Sequence, residues 1–227
     1  MALRKAARAG PPREGPWTPG KETPNPGLPL ALGVLFYCGL GGAGAVLPLL
    51  LGRWRRVEAL PRGKHPLLLQ AGAGLVLGLL LVWLSRVLVA KVKAMKELER
   101  VLASLVGPMG PFSILVLALV SGPAEEWFFR GALLDLLGPL WSTLAFAFCH
   151  TGPGKKFRAW TLMAGVVGGL FAWMVLQGWG LLSVALAHST LNFLNLRRLA
   201  GSARKGASPG ARAQEEQVFP GEGGGME

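Results

Sequence analysis

The chain has 227 residues, of which 51% are apolar and 16% charged, with a mean hydropathy of +0.42 and a formal charge of +12. Soluble domains carry about 25% charged residues, so a water-facing globule of this length would lack a polar surface. The two cysteines, Cys38 and Cys149, both lie in apolar runs, and their count and spacing exclude a disulfide framework or a CxxC metal site.

Charge is confined to short zones. The 24 basic residues fall as five in 1–27, five in 53–65, five in 86–100, three in 151–159 and five in 197–227, which leaves Arg130 alone among the apolar segments. Outside those zones the acids are Glu125, Glu126 and Asp135. This zoning is the mark of a bilayer protein. The basic excess then belongs to juxtamembrane loops, where each cation gains about 1 kcal/mol from anionic headgroups. Nucleic acid is not expected as a partner, because the chain has no recognition helix, RNA-binding sheet motif or zinc knuckle.

Residues 1–27 form a basic tail rich in Pro and Gly. They have no apolar core of a cleavable signal and are expected to be disordered. Residues 28–52 are long enough for a first span, and their stretch Gly39–Gly44 is expected to admit a neighbouring helix closely. A basic loop at 53–65 precedes a second span at 66–85. From Arg86 to Arg100 charged and apolar residues alternate at helical spacing, which predicts an amphipathic helix or an extension of the second span.

A third apolar stretch, 106–137, is interrupted by Gly107-Pro108, Gly110-Pro111 and Gly122-Pro123, and the last pair predicts a break or kink just before Glu125. A short fourth stretch, 139–150, starts after Gly138-Pro139. Spans at 160–176 and 179–196 follow a basic turn and are joined by Gln177-Gly178, and Gly165 and Gly169 make a GxxxG packing face. The tail from Arg197 is expected to be disordered. The expected fold is all-α, a polytopic transmembrane helical bundle of about six spans plus an amphipathic helix. Its regions are 1–27, 28–105, a core at 106–196, and 197–227. Six spans put both ends on one side, and the basic 151–159 loop and tails make that side cytoplasmic. The 53–65 loop then faces outward against the positive-inside rule.

Ionisable groups in lipid are costly, and they concentrate in 106–196. Glu126 and Arg130 are four residues apart and can pair along one helix face. Glu125 points about 100° away and can face a cavity. One carboxylate tied to Arg130 and one left in an apolar pocket suit general acid–base work. His188 and Asn192 share a helix face, and His150 ends the fourth stretch. Taken singly, each of these could serve as helix–helix glue. Three helices supplying such groups to one apolar interior predict a shared wet cavity with the parts needed to hydrolyse an amide bond.

Other designs fit less well. There is no HExxH, Asp135 is the sole aspartate of the spans, and Ser121, Ser142, Ser183 and Ser189 lack a nucleophile setting. Either glutamate with His150 and His188 offers a zinc donor set, but the reading assigns no metal and no cofactor.

Glu125-Glu126-Trp-Phe-Phe-Arg130 resembles the EExxxR motif of the CPBP family of CAAX-prenyl endopeptidases and bacteriocin-processing or immunity proteins. Phe146-Ala-Phe-Cys-His150 is similar to that family's FxxxH, and His188-Ser-Thr-Leu-Asn192 to its HxxxN. The resemblance covers about 105–196. It implies a glutamate-type intramembrane endopeptidase in which a glutamate, Glu125 by analogy, activates water. Arg130 then orients the glutamates, His150 assists, and His188 with Asn192 stabilises the oxyanion. The Gly/Ala/Leu/Arg-rich composition suggests a high-GC bacterium and a multi-pass protein of the inner membrane. The implied partner is a membrane-anchored protein or peptide in the lipid bilayer, with sorting-tail processing, as in myxosortase-type members, ranked first. Rival readings are an idle family scaffold or immunity protein, and a transporter, for which the internal repeats are missing.

Overall fold

The computed structural model describes residues 27–53 and 63–206, and every regular element among them is helical. The elements are α1 (Gly27–Leu50), α2 (Leu67–Lys91), α3 (Lys93–Val106), α4 (Pro111–Glu126), a π-helical segment (Trp127–Leu133), α5 (Leu134–Cys149), α6 (Phe157–Leu176) and α7 (Gly180–Gly206). Leu32, Leu35, Phe36, Leu68, Trp83, Phe112, Phe148 and other large apolar side chains point outward. In water that surface would be unstable, and in hydrocarbon it is the expected one. Four stretches are long and apolar enough to cross a membrane: Leu30–Leu50, Leu67–Lys91, Pro111–Cys149 and Phe157–Leu176.

Six apolar segments were expected, and all are helical, but two do not stand as independent long apolar helices. The 139–150 segment is the second limb of a bent helix, and α7 has its apolar run interrupted by His188, Asn192 and Asn195. The bend lies at Gly138, whose φ of 80° and ψ of 174° are open to glycine and strained for other residues. No break forms at Gly122-Pro123. The helix runs through Pro123, and the disturbance appears instead as the π-helical register from Trp127.

Arg86 to Arg100 divides between two elements. Arg86–Lys91 extends α2, and after an extended Val92 the amphipathic α3 begins, burying Leu98 and Ala103. The tail expected from 197 starts later, because α7 continues to Gly206 and buries Leu199 and Ala200. The 1–27 tail, apart from its last residue, and the segment after Gly206 lie outside the described residues.

α7 is the central helix, packed against α2, α3 and α4. Lys64 N–H donates to the Gly178 carbonyl at 2.6 Å, and Ser85 reaches Asn195 at 3.3 Å, so α2 and α7 run parallel. Asn192 meets Ser121 and His188 meets Glu126, so α4 and α7 run antiparallel. Arg204, near the end of α7, donates to the Met109 carbonyl just before α4. Arg53 pairs with Asp135 at 3.1 Å and ties the end of α1 to the start of α5. The start of α4, the end of α7 and α3 therefore share one end of the bundle, and the α6–α7 turn lies at the other. The GxxxG reading of α6 shifts by one face. A side chain at Gly165 or Gly169 would make only ordinary contact, whereas one at Gly168 would lie 2.9 Å from both Arg130 and Phe146.

Candidate active site

All six residues singled out in the sequence converge between α4, the π-helical segment, α5 and α7. Glu126 is fully buried and Arg130 is 1% exposed. Arg130 Nη1 donates to Glu126 Oε1 at 2.9 Å, the pairing that the four-residue spacing predicts. The guanidinium lies 4.1 Å from the ring centre of Phe146, 5.6 Å from that of Phe171 and 5.9 Å from that of Phe129. Such faces attract a desolvated cation. Gly168 supplies the space, since any β-carbon there would meet Arg130 Nη2.

His188 Nδ1 lies 2.7 Å from Glu126 Oε1. A carboxylate accepts, so Nδ1 carries the proton and Nε2 is left for other work. That Nε2 lies 4.0 Å from Glu125 Oε2. His150 Nδ1 lies 2.8 Å from the Phe146 carbonyl, which can only accept, so His150 is held in the same tautomer. Its Nε2 lies 3.8 Å from the same Glu125 Oε2. Both separations exceed a direct hydrogen bond. Two imidazole nitrogens and one carboxylate oxygen thus face each other across a gap of about one water's hydrogen-bonding reach.

Asn192 donates through Nδ2 to Ser121 Oγ at 2.9 Å, which leaves its second amide hydrogen and its carbonyl oxygen. Asn192, His150 and His188 line a cavity of about 180 Å³ together with Glu99 and Arg198, themselves an ion pair at 3.2 Å. The remaining walls are mostly aliphatic, from α2, α3, α6 and α7. Among the described residues no three His, Cys, Asp or Glu side chains are grouped to hold a metal ion.

Sequence reasoning missed several groups. The aromatic faces around Arg130 come from Phe129 of the π-helical segment, Phe146 of α5 and Phe171 of α6; the first two stand inside the quoted motifs, but nothing in the sequence assigns any of them that role. Ser121 orients Asn192, and its signal was only a polar residue in an apolar run. Asp135, weighed and set aside as a catalyst, pairs with Arg53.

Residues 107–194 match the model of a family described as Type II CAAX prenyl endopeptidase Rce1-like. The matched segment starts at the turn before α4, ends inside α7 and contains all six residues. No curated protein and no solved structure matches the chain.

Proposed function

Because residues 107–194 form an Rce1-like domain of the CAAX-protease family, we propose that this multi-pass membrane protein is an intramembrane glutamic endopeptidase. The reading is carried by one observation. Glu125, 7% exposed, aims Oε2 at the Nε2 atoms of two histidines without bonding either.

The roles follow from the surroundings of each group. Glu126 is already committed to Arg130 and His188, so Glu125 is the base. A water placed against Glu125 loses a proton to the carboxylate as its oxygen bonds the scissile carbonyl carbon. The carbonyl π electrons move onto oxygen, where His188 Nε2–H and the spare Asn192 amide hydrogen donate. Glu126, accepting from Nδ1, supports His188 when both ring nitrogens carry protons. The carbon–nitrogen bond then breaks as the proton held by Glu125 passes to the departing amine, with His150 Nε2 positioned to assist. Placing donors where charge develops is worth several kcal/mol in a dry site, and a positioned base contributes about 10²–10⁴-fold.

The substrate is a membrane-anchored protein whose cut segment enters the aliphatic cavity, and C-terminal sorting tails of exported proteins are the first class to examine. The site of action is a bacterial inner membrane. The test compares membrane proteomes of cells carrying the wild-type chain or Glu125→Gln, reading N- and C-termini of anchored proteins. Uncut precursors accumulating only with the variant support the proposal. An unchanged set of termini, with a deletion phenotype still rescued by Glu125→Gln, overturns it.

A further inference from the structure

α5 and α6 meet along a seam whose outer side is hollow. Leu137, Trp141, Leu144 and Phe148 recur at spacings of four, three and four residues, so they form one stripe of α5 and its approach. Each is between 48% and 75% exposed, and each lines the hollow. Ala145 and Ala147 line it with them, and their small side chains leave the room. A β-carbon on Gly165 of α6 would lie 3.6 Å from that of Ala147, so the two helices approach closely there. From 137 to 148 the stripe rises at most about 16 Å. That is roughly half of a hydrocarbon core about 30 Å thick, the depth reached by the acyl chains of one leaflet.

The hollow ends at cations. Thr151 and Thr161 line its end and also line a second hollow, formed by the α5–α6 turn with Lys155 and Arg158, so the two are continuous. The turn is held by its own bonds. Thr151 Oγ1 donates to the Phe148 carbonyl at 2.8 Å, and Thr161 Oγ1 lies 3.1 Å from the carbonyls of both His150 and Phe157. Gly154 takes a φ of 88°, and the Phe157 ring covers Gly152, where any β-carbon would collide with it. Lys155 and Arg158 are exposed, and neither has an acidic partner among the described residues. α6 ends at the α6–α7 turn, so its first turn lies at the opposite end of the bundle, where α3 and α7 add the exposed Lys93, Lys96 and Arg197. An apolar groove facing lipid and closing on cations at headgroup depth complements a molecule with an acyl chain and a negative phosphate.

We propose that this seam binds one phospholipid with an anionic headgroup, its acyl chain along the α5 stripe and its phosphate between Lys155 and Arg158. A zwitterionic lipid gains the apolar contact without the net charge that two unpaired cations attract. A second copy of the chain fits the face poorly. Copies in one membrane share their orientation, so docking by this face brings Lys155 and Arg158 of both together, and like charges so juxtaposed are costly. Thr161 joins the lipid site to the candidate active site, because it lines the groove and reaches the carbonyl of His150. The lipid site stands without the protease reading.

The test holds the full chain in phosphatidylcholine nanodiscs with a trace of a photoactivatable probe, either phosphatidylglycerol or phosphatidylcholine, carrying a diazirine midway along one chain. After illumination, mass spectrometry reads the labels on residues 137–148. Two cations at headgroup depth are expected to favour the phosphatidylglycerol probe about 30-fold, equivalent to about 2 kcal/mol. Lys155→Gln together with Arg158→Gln is expected to bring that ratio to about 1, while labelling by the phosphatidylcholine probe persists and shows the groove intact. Lys93→Gln together with Lys96→Gln, at the same end of the bundle, is expected to leave the ratio unchanged. A wild-type ratio of about 1, or no label on 137–148, overturns the site. So does a ratio that survives the loss of Lys155 and Arg158, or one that falls equally without Lys93 and Lys96, since that is attraction to diffuse surface charge. Labels displaced by cross-links between copies of the chain give the face to a second copy and overturn the lipid site as well.

Discussion

Glu125 and Glu126 are neighbours in the chain with opposite surroundings. Around Glu126 one oxygen is committed twice: Oε1 accepts from Arg130 and His188, three aromatic rings enclose Arg130, and Gly168 yields the space. Around Glu125 the histidines stand back, and the cavity begins beside them. The difference teaches that one residue of helical rotation is enough, in a bilayer protein, to bond one carboxylate into the framework and leave the next facing two histidines, as the proposed role of Glu125 as reagent requires. The framework side raises the cost of failure, because a buried ion pair broken at one partner strands the other. The reagent side leaves bonding capacity for substrate and water.

Substitutions can break this contrast. The largest expected effect is that of Glu125→Gln, which keeps the shape and removes the base. Cleavage is expected to fall at least ~10³-fold, within the range of general-base removal, while the unfolding midpoint in detergent stays near that of the wild type. Glu126→Gln should lose activity and fold together. It strands Arg130, and about 3–5 kcal/mol of stability is expected to go with it, measured by thermal or denaturant unfolding. A variant pair showing equal stability would erase the proposed division of labour.

Smaller effects sharpen the picture. Asn192→Ala removes one proposed donor to the oxyanion and should reduce kcat about 10²-fold with KM little changed, measured with the same substrate. The smallest effect expected is structural. Gly168→Ala pushes a methyl against Arg130 and Phe146 and should cost about 1–3 kcal/mol. Gly169→Ala meets only Thr143 at 3.9 Å and should be close to neutral in the same unfolding measurement.

Much of this site was readable before any coordinates, because membrane segments are so poor in polar residues that each one stands out. Glu125, Glu126, Arg130, His150, His188 and Asn192 were marked by their cost in lipid together with the motifs they resemble, and the Glu126–Arg130 pairing followed from spacing. The bend at Gly138-Pro139 was also legible, since a glycine before a proline rarely continues a helix. Other features depend on partners rather than on local sequence. Gly165 and Gly169 form the more conspicuous pair, yet Gly168 faces Arg130, and only the rotation of α6 against α5 decides which glycine matters. Gly122-Pro123 reads as a break, but the helix absorbs it and loosens four residues later. The boundary at Arg197 was misjudged because charge masked the buried Leu199 and Ala200.

The most direct test of the account is the cleavage rate of purified chain in proteoliposomes, with the substrate from the proteome comparison, for wild type and Glu125→Gln side by side. The account predicts turnover by the wild type and none measurable by a Glu125→Gln protein of unchanged unfolding midpoint. Cleavage by Glu125→Gln at a rate near that of the wild type would contradict it.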